Sequence, residues 1–297
     1  MNLTQLLLTG FGAAVLGAII ASGAEIGQKY LVTTKKQTQS AVLINLYFFL
    51  ALISIVLALT LNQFTLNATS ILLAAISASV QALGVYLTLK AYAIEDFSLT
   101  LPFLYLTSIF IIPVEWLLFR DSPTILALFG IGAIIGGAFY LSRVENKKGA
   151  WKFSLGSRLM ILVALLYCVA GPLDKLGLQQ STSVGYLTWL YVFTGVWLVI
   201  WGWLLAKKSL VKNEVVKSFK NYWPLFLIIG LIIVISGWLM FNAYSTILVN
   251  YVISIKRAAF LIPILLGPLI FKEKNLLKRL PGVLLMLAGA IIIILFG

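Results

Sequence analysis

Residues 119–138, FRDSPTILALFGIGAIIGGA, recur at residues 271–290 as FKEKNLLKRLPGVLLMLAGA, an ungapped match at an offset of 152. In this register Phe119 meets Phe271, Arg120-Asp121 meets Lys272-Glu273, Gly130 meets Gly282, and Gly137-Ala138 meets Gly289-Ala290. Upstream, Ala91 and Tyr92 fall on Ala243 and Tyr244. At slightly smaller offsets, 146 and 144, Lys29 falls on Lys175 and Tyr47 on Tyr191. Chance likeness between apolar stretches does not keep glycines, aromatics and charges in step. The chain therefore reads as two copies of one unit, residues 1–146 and 147–297.

Composition says where such a unit lives. Of the 297 residues 61% are hydrophobic and 10% charged, against about a quarter charged in a soluble domain. Mean hydropathy is +1.05. Apolar runs long enough for a helix to cross a hydrocarbon core of about 30 Å recur throughout, whereas a membrane barrel would show alternating segments of about ten residues. The expected fold is all-α, with ten transmembrane helices near 3–31, 40–61, 69–92, 98–119, 123–142, 158–178, 184–206, 223–246, 249–271 and 277–296. The first run lacks a basic leader and continues too long for a cleaved signal peptide, so it counts as span one. Cys168 is the only cysteine and lies inside a span, which leaves no disulfide framework, thiol relay or cysteine metal site.

The net charge of +13 is distributed, not clustered. Eighteen of the 22 Lys and Arg residues lie in or beside alternate loops, while the opposite loops carry only Arg120, next to Asp121. The positive-inside rule then puts the basic loops in the cytoplasm and both termini outside. The expected location is a cell membrane, the bacterial inner membrane, crossed many times. Basicity is thus a topology signal with anionic-lipid contact added, and nucleic acid is not an expected partner.

Each unit holds five spans, an odd number, so the second enters the membrane inverted relative to the first. Two inverted repeats are the usual build of secondary transporters, with the solute site near the midplane between them. The five-plus-five arrangement, together with FRDSPTILALFGIGAIIGGAFYL and FKEKNLLKRLPGVLLMLAGAIIIIL, resembles the EamA-type, ten-helix branch of the drug/metabolite transporter superfamily. The resemblance covers nearly the whole chain. It implies a metabolite exporter or exchanger working by alternating access, for substrates such as amino acids, other metabolites, nucleotide sugars or phosphorylated sugars.

An ionisable residue at membrane depth is a functional candidate by default. Lys256 and Arg257 lie within span nine, SIKRAA. They either serve a ligand or counter-ion or snorkel outward, and their step of about 100° lets only one aim squarely at a central cavity. The dipeptide also resembles the Lys-Arg pair in the ninth helix of triose-phosphate translocators, which implies that Lys256 and Arg257 hold an anionic group, although LLGPLIFKEK is the EamA-like version of the flank. Lys175 follows Pro172 and is either a site residue or half of a local pair with Asp174. Glu25 stands four residues before Lys29, a spacing that brings both onto one helix face. It resembles the first-helix glutamate of small multidrug-resistance relatives and is the proton-coupling candidate. Glu115 reads as reaching the headgroups.

Tyr47, Tyr92, Tyr191 and Tyr244 are repeat-equivalent, and a buried hydroxyl in lipid needs a partner. Trp189 in span seven is a further solute-stacking candidate, against a lipid-belt role. Pro102 and Pro113 in span four, and Pro263 and Pro268 in span nine, break the backbone ladder and make those helices candidates for gating. Gly23-x-x-x-Gly27 and Gly132-x-x-x-Gly136 permit close helix approach.

With no histidine and nine carboxylates mostly in loops, the chain lacks the groups for a Ser-His or metal-hydrolase site, so an enzyme is not expected. Nor are a cofactor or metal. The expected function is secondary transport of a small, anionic or amino-acid-like solute. The alternative is proton-coupled export of neutral or cationic amphiphiles through Glu25. The expected partners are the solute and membrane lipids, for a monomer or homodimer.

Overall fold

The computed structural model describes residues 10–119, 124–145, 153–205, 208–246, 249–273 and 276–296. The start of span one, the Arg120-Asp121 turn and the Glu115 side chain lie outside what is described. Helices occupy nearly all the rest: α1 Phe11–Thr33, α2 Gln39–Thr60, α3 Ala68–Ile94, α4 Phe97–Thr100, α5 Thr107–Phe119, α6 Ile125–Glu145, α7 Leu155–Leu178, α8 Ser183–Leu205, α9 Lys208–Tyr244, α10 Val249–Ala259, α11 Leu261–Phe271 and α12 Leu276–Phe296. A 3-10 turn, Leu101–Leu106, joins α4 to α5. Among the described residues these group into ten helical units at the expected places. Six runs are long and apolar enough to cross a membrane: Gln39–Thr60, Ala68–Ile94, Phe97–Leu118, Leu155–Leu178, Ser183–Trp201 and Lys212–Tyr244. Large apolar side chains such as Leu66, Leu117, Phe129, Leu269 and Leu277 are exposed, as expected of a surface whose solvent is lipid. The protein is an all-α, multi-pass membrane protein.

Two spans read as continuous are broken, and proline is the reason. In the fourth unit Pro102 opens the 3-10 turn; it has no N–H to donate to the i−4 carbonyl and its ring crowds that oxygen, so the chain tightens before resuming as α5. In the ninth unit the helix stops at Phe260, whose N–H bonds Arg257 O at 3.0 Å, and restarts as α11. Pro263 has no N–H to offer the Ala259 carbonyl four residues back. Ser22 of α1 supplies the missing donor at 3.0 Å. A freed carbonyl in the membrane is tolerated only when a neighbour satisfies it in this way. A third difference is α9, whose 37 residues carry the helix straight through the basic segment expected to be a loop.

The principal helix pairs are α6 with α12, α3 with α7, α1 with α9, α2 with α9, α2 with α8 and α3 with α8. α6 and α12 meet on glycine. A Cβ at Gly137 would stand 2.6 Å from Gly282 O, and one at Gly289 2.5 Å from Gly130 O. The backbones therefore touch, and the pairing of early with late positions makes the helices antiparallel. The closest approach falls on these four glycines, whereas Gly132 has open space beside it and Gly136 only ordinary contact.

Candidate functional site

A cavity of about 200 Å³ lies between α1, α2, α3, α7, α8, α9 and α10. Lys256 and Arg257 both line it, although successive helical positions step by about 100°. The helix ends two residues later, at Ala259, so both long side chains reach the same space around a helix terminus. Arg257 is 4% exposed. Its guanidinium lies 5.7 Å from the Tyr167 ring centroid and 5.1 Å from that of Phe260, and Nη2 makes a long contact of 3.4 Å to Thr107 Oγ1. Nε has no hydrogen-bond partner. No carboxylate is in ion-pair contact with Arg257 among the described residues, where the ion pairs are Lys29 with Glu273 and Arg279 with Asp96.

Two carboxylates share the cavity. Glu25 of α1 accepts the Tyr92 hydroxyl at 2.7 Å and faces both cations. Asp174 of α7 accepts Ser77 Oγ at 2.6 Å, Tyr186 OH at 2.9 Å and Gln81 Nε2 at 3.0 Å. Asp174 is thus held by contacts across the bundle; adjacent helical residues point about 100° apart, and Lys175 is half-buried outside the cavity lining.

Tyr47, Tyr191 and Tyr244 line the cavity, and the rings of Tyr47 and Tyr191 meet edge to face at 6.1 Å. Tyr92 reaches the site through Glu25. Trp189 does not line it: the indole N–H donates to Thr65 O at 2.8 Å and the ring packs on Phe64 and Phe193. Pro102 and Pro263 are buried, Pro268 is half-buried and Pro113 is exposed. Sequence reasoning missed Gln28, Ser77, Gln81 and the inward aim of Asp174, although polar residues in mid-span were themselves a signal.

A second polar cluster lies toward the end that carries the basic loops. Lys29 Nζ pairs with Glu273 at 2.6 Å, donates to Glu95 O at 3.2 Å, and stands 4.1 Å from the Phe97 and 5.1 Å from the Phe271 ring centroids. Lys29 thus does not pair with Glu25, as the i to i+4 spacing suggested. Glu273 also accepts the Phe97 backbone N–H at 2.8 Å. Arg279 pairs with Asp96 at 2.7 Å, and Glu95 accepts Ser154 Oγ at 2.7 Å and Gly156 N–H at 2.9 Å. The cluster fastens the ends of α1, α3, α7, α11 and α12 together.

This geometry defines a multi-pass helical membrane protein with a charged cavity between its helices. No family model and no curated protein matches the sequence. The fold recurs among solved structures: one, described only as a protein crystal structure, superposes with a TM-score of 0.63 over 94% of this chain and 97% of its own, at 11% identity. At that identity the likeness shows the fold alone.

Proposed function

We propose that the chain is a secondary-active transporter of the EamA-like kind, formed by inverted repeats 1–146 and 147–297 and moving a small anionic or amino-acid-like solute by alternating access. The helix pairs support the repeat: exchanging the units turns α3 with α7 into α9 with α1, turns α2 with α9 into α8 with α3, and returns α6 with α12 and α2 with α8 to themselves. The glycine contacts obey the same exchange, since Gly137 with Gly282 becomes Gly289 with Gly130. Antiparallel α6 and α12 are what inversion requires, because direct repeats would make them parallel. In this reading the basic loops face the cytoplasm and the termini lie outside.

The observation that carries the solute class is Arg257, a buried cation without a contacting carboxylate and with an unpartnered Nε, lining a cavity between the two units. A guanidinium in that state is completed by an anionic group, to which it can offer a two-pronged fork. The test is thermal stability of the detergent-purified protein with a hexose phosphate, L-glutamate, L-alanine and tetraphenylphosphonium. A ligand at a hundredfold excess over Kd adds about 2.7 kcal/mol. Anions are expected to stabilise wild type and not the Lys256→Ala, Arg257→Ala double variant. Stabilisation by the cation alone, lost in Glu25→Gln, would instead favour the second reading, proton-coupled export of cationic amphiphiles, which the cavity position of Glu25 supports.

A further inference from the structure

Building on the anion reading, we propose that Asp174 is the proton carrier of the cavity: a bound anion draws the charge of Lys256 away from it, a proton from water takes its place, and anion and proton cross together. The charges lining the cavity are balanced, with Lys256 and Arg257 against Glu25 and Asp174. An added anion upsets that balance. Binding one proton restores it.

Asp174 is suited to the task by its surroundings. It is 5% exposed, and its three hydrogen-bond donors, Ser77 and Gln81 from α3 and Tyr186 from α8, are all neutral. Lys256 and Arg257 on α10 and Glu25 on α1 share the cavity wall with it; Tyr47 of α2, Tyr167 of α7, Tyr191 of α8 and Tyr244 of α9 are further titratable groups on those walls, and Lys175 follows it on α7 outside the lining. Glu25 is half-buried and lines the cavity with both Lys256 and Arg257. The hydroxyl of Ser77 completes the device. It donates to Asp174 at 2.6 Å but also lies 3.5 Å from Ala170 O, and a hydroxyl both donates and accepts. When Asp174 gains a proton, Ser77 turns its hydrogen to Ala170 O and accepts the new carboxyl O–H. No polar atom is left unpaired in either state. The proton leaves to water by the reverse step once the anion has gone.

The experiment measures affinity against pH for the full chain in detergent, using L-glutamate and a hexose sulfate, whose own charges are constant around neutral pH. With one coupled proton, wild-type affinity falls about tenfold per pH unit over the upper part of the range. Asp174→Asn is expected to abolish that slope, Asp174→Glu to restore it, and Glu25→Gln to keep it whatever its affinity. A pH-indicator dye in weak buffer should record proton uptake on binding in wild type and none in Asp174→Asn. Anion binding with no slope and no uptake in wild type overturns the inference while leaving the anion reading intact. A slope lost in Glu25→Gln and kept in Asp174→Asn also overturns it, giving the role to Glu25. If neither anion binds wild type at any pH, the anion reading falls first and the inference with it.

Discussion

The single hydroxyl hydrogen of Ser22 is shared between Ala18 O at 3.1 Å on its own helix and Ala259 O at 3.0 Å on α10. The second bond permits the α10–α11 break, which in turn sets Lys256 and Arg257 at a helix end. Ser22→Ala removes that donor and leaves a carbonyl without a partner. Hydrogen bonds between membrane helices average about 0.6 kcal/mol and reach about 1.7; a loss toward the upper end is expected, measured as unfolding in mixed detergent. At this scale the sequence was legible where a residue was conspicuous by itself: Lys256 and Arg257 by charge, Tyr47, Tyr191 and Tyr244 by the repeat. The partner of Lys29 was not, because Glu273 is 244 positions away in the chain and local spacing rules see only the neighbouring turn.

At the scale of elements, the buried cluster holds α1, the α3–α4 junction and the α11–α12 turn in one place. The Lys29 and Glu273 side chains are 3% and 1% exposed. Removing one partner of such a pair typically costs about 3–5 kcal/mol, whereas replacing both with apolar residues is often neutral. Lys29→Met and Glu273→Leu are each expected to melt far below wild type, and the double variant to recover only part of the loss, because the Phe97 N–H and the Glu95 carbonyl still lack their partners; three equal melting points would show the pair to be idle. Element positions were largely readable, since hydrophobic run length fixes spans to within a few residues. The breaks were foreseeable in kind from Pro102 and Pro263, but the depth at which α10 stops depends on Ser22 of another helix.

At the scale of the molecule, the cluster lies one helical turn beyond Glu25, between the cavity and the end bearing the basic loops. In an alternating-access cycle it must open when solute passes that way. Cys168 is buried and is the chain's only cysteine, so a Cys168→Ser background gives a clean thiol reporter. Gln28→Cys in that background, facing the cavity, is expected to react faster with an impermeant thiol reagent from the basic-loop side when Glu273→Gln is added. Unchanged labelling from that side would remove the cluster from the gate.

The 37 residues of α9 make a rod of roughly 55 Å, against a hydrocarbon core of about 30 Å. One part, from Ile233 to Tyr244, walls the cavity; another carries exposed Lys212, Lys217 and Lys220. That charged part is tied to α2 through Thr38 to Glu214 at 2.8 Å and Asn45 to the Val215 carbonyl at 3.0 Å. Any swing of α9 thus drags a row of lysines through the headgroup layer, like an oar whose blade is in the lipid. For the proposed transport cycle, vesicles rich in anionic lipid are expected to grip the blade and slow turnover while leaving solute affinity alone, so that the bilayer would set the tempo of a site it never touches.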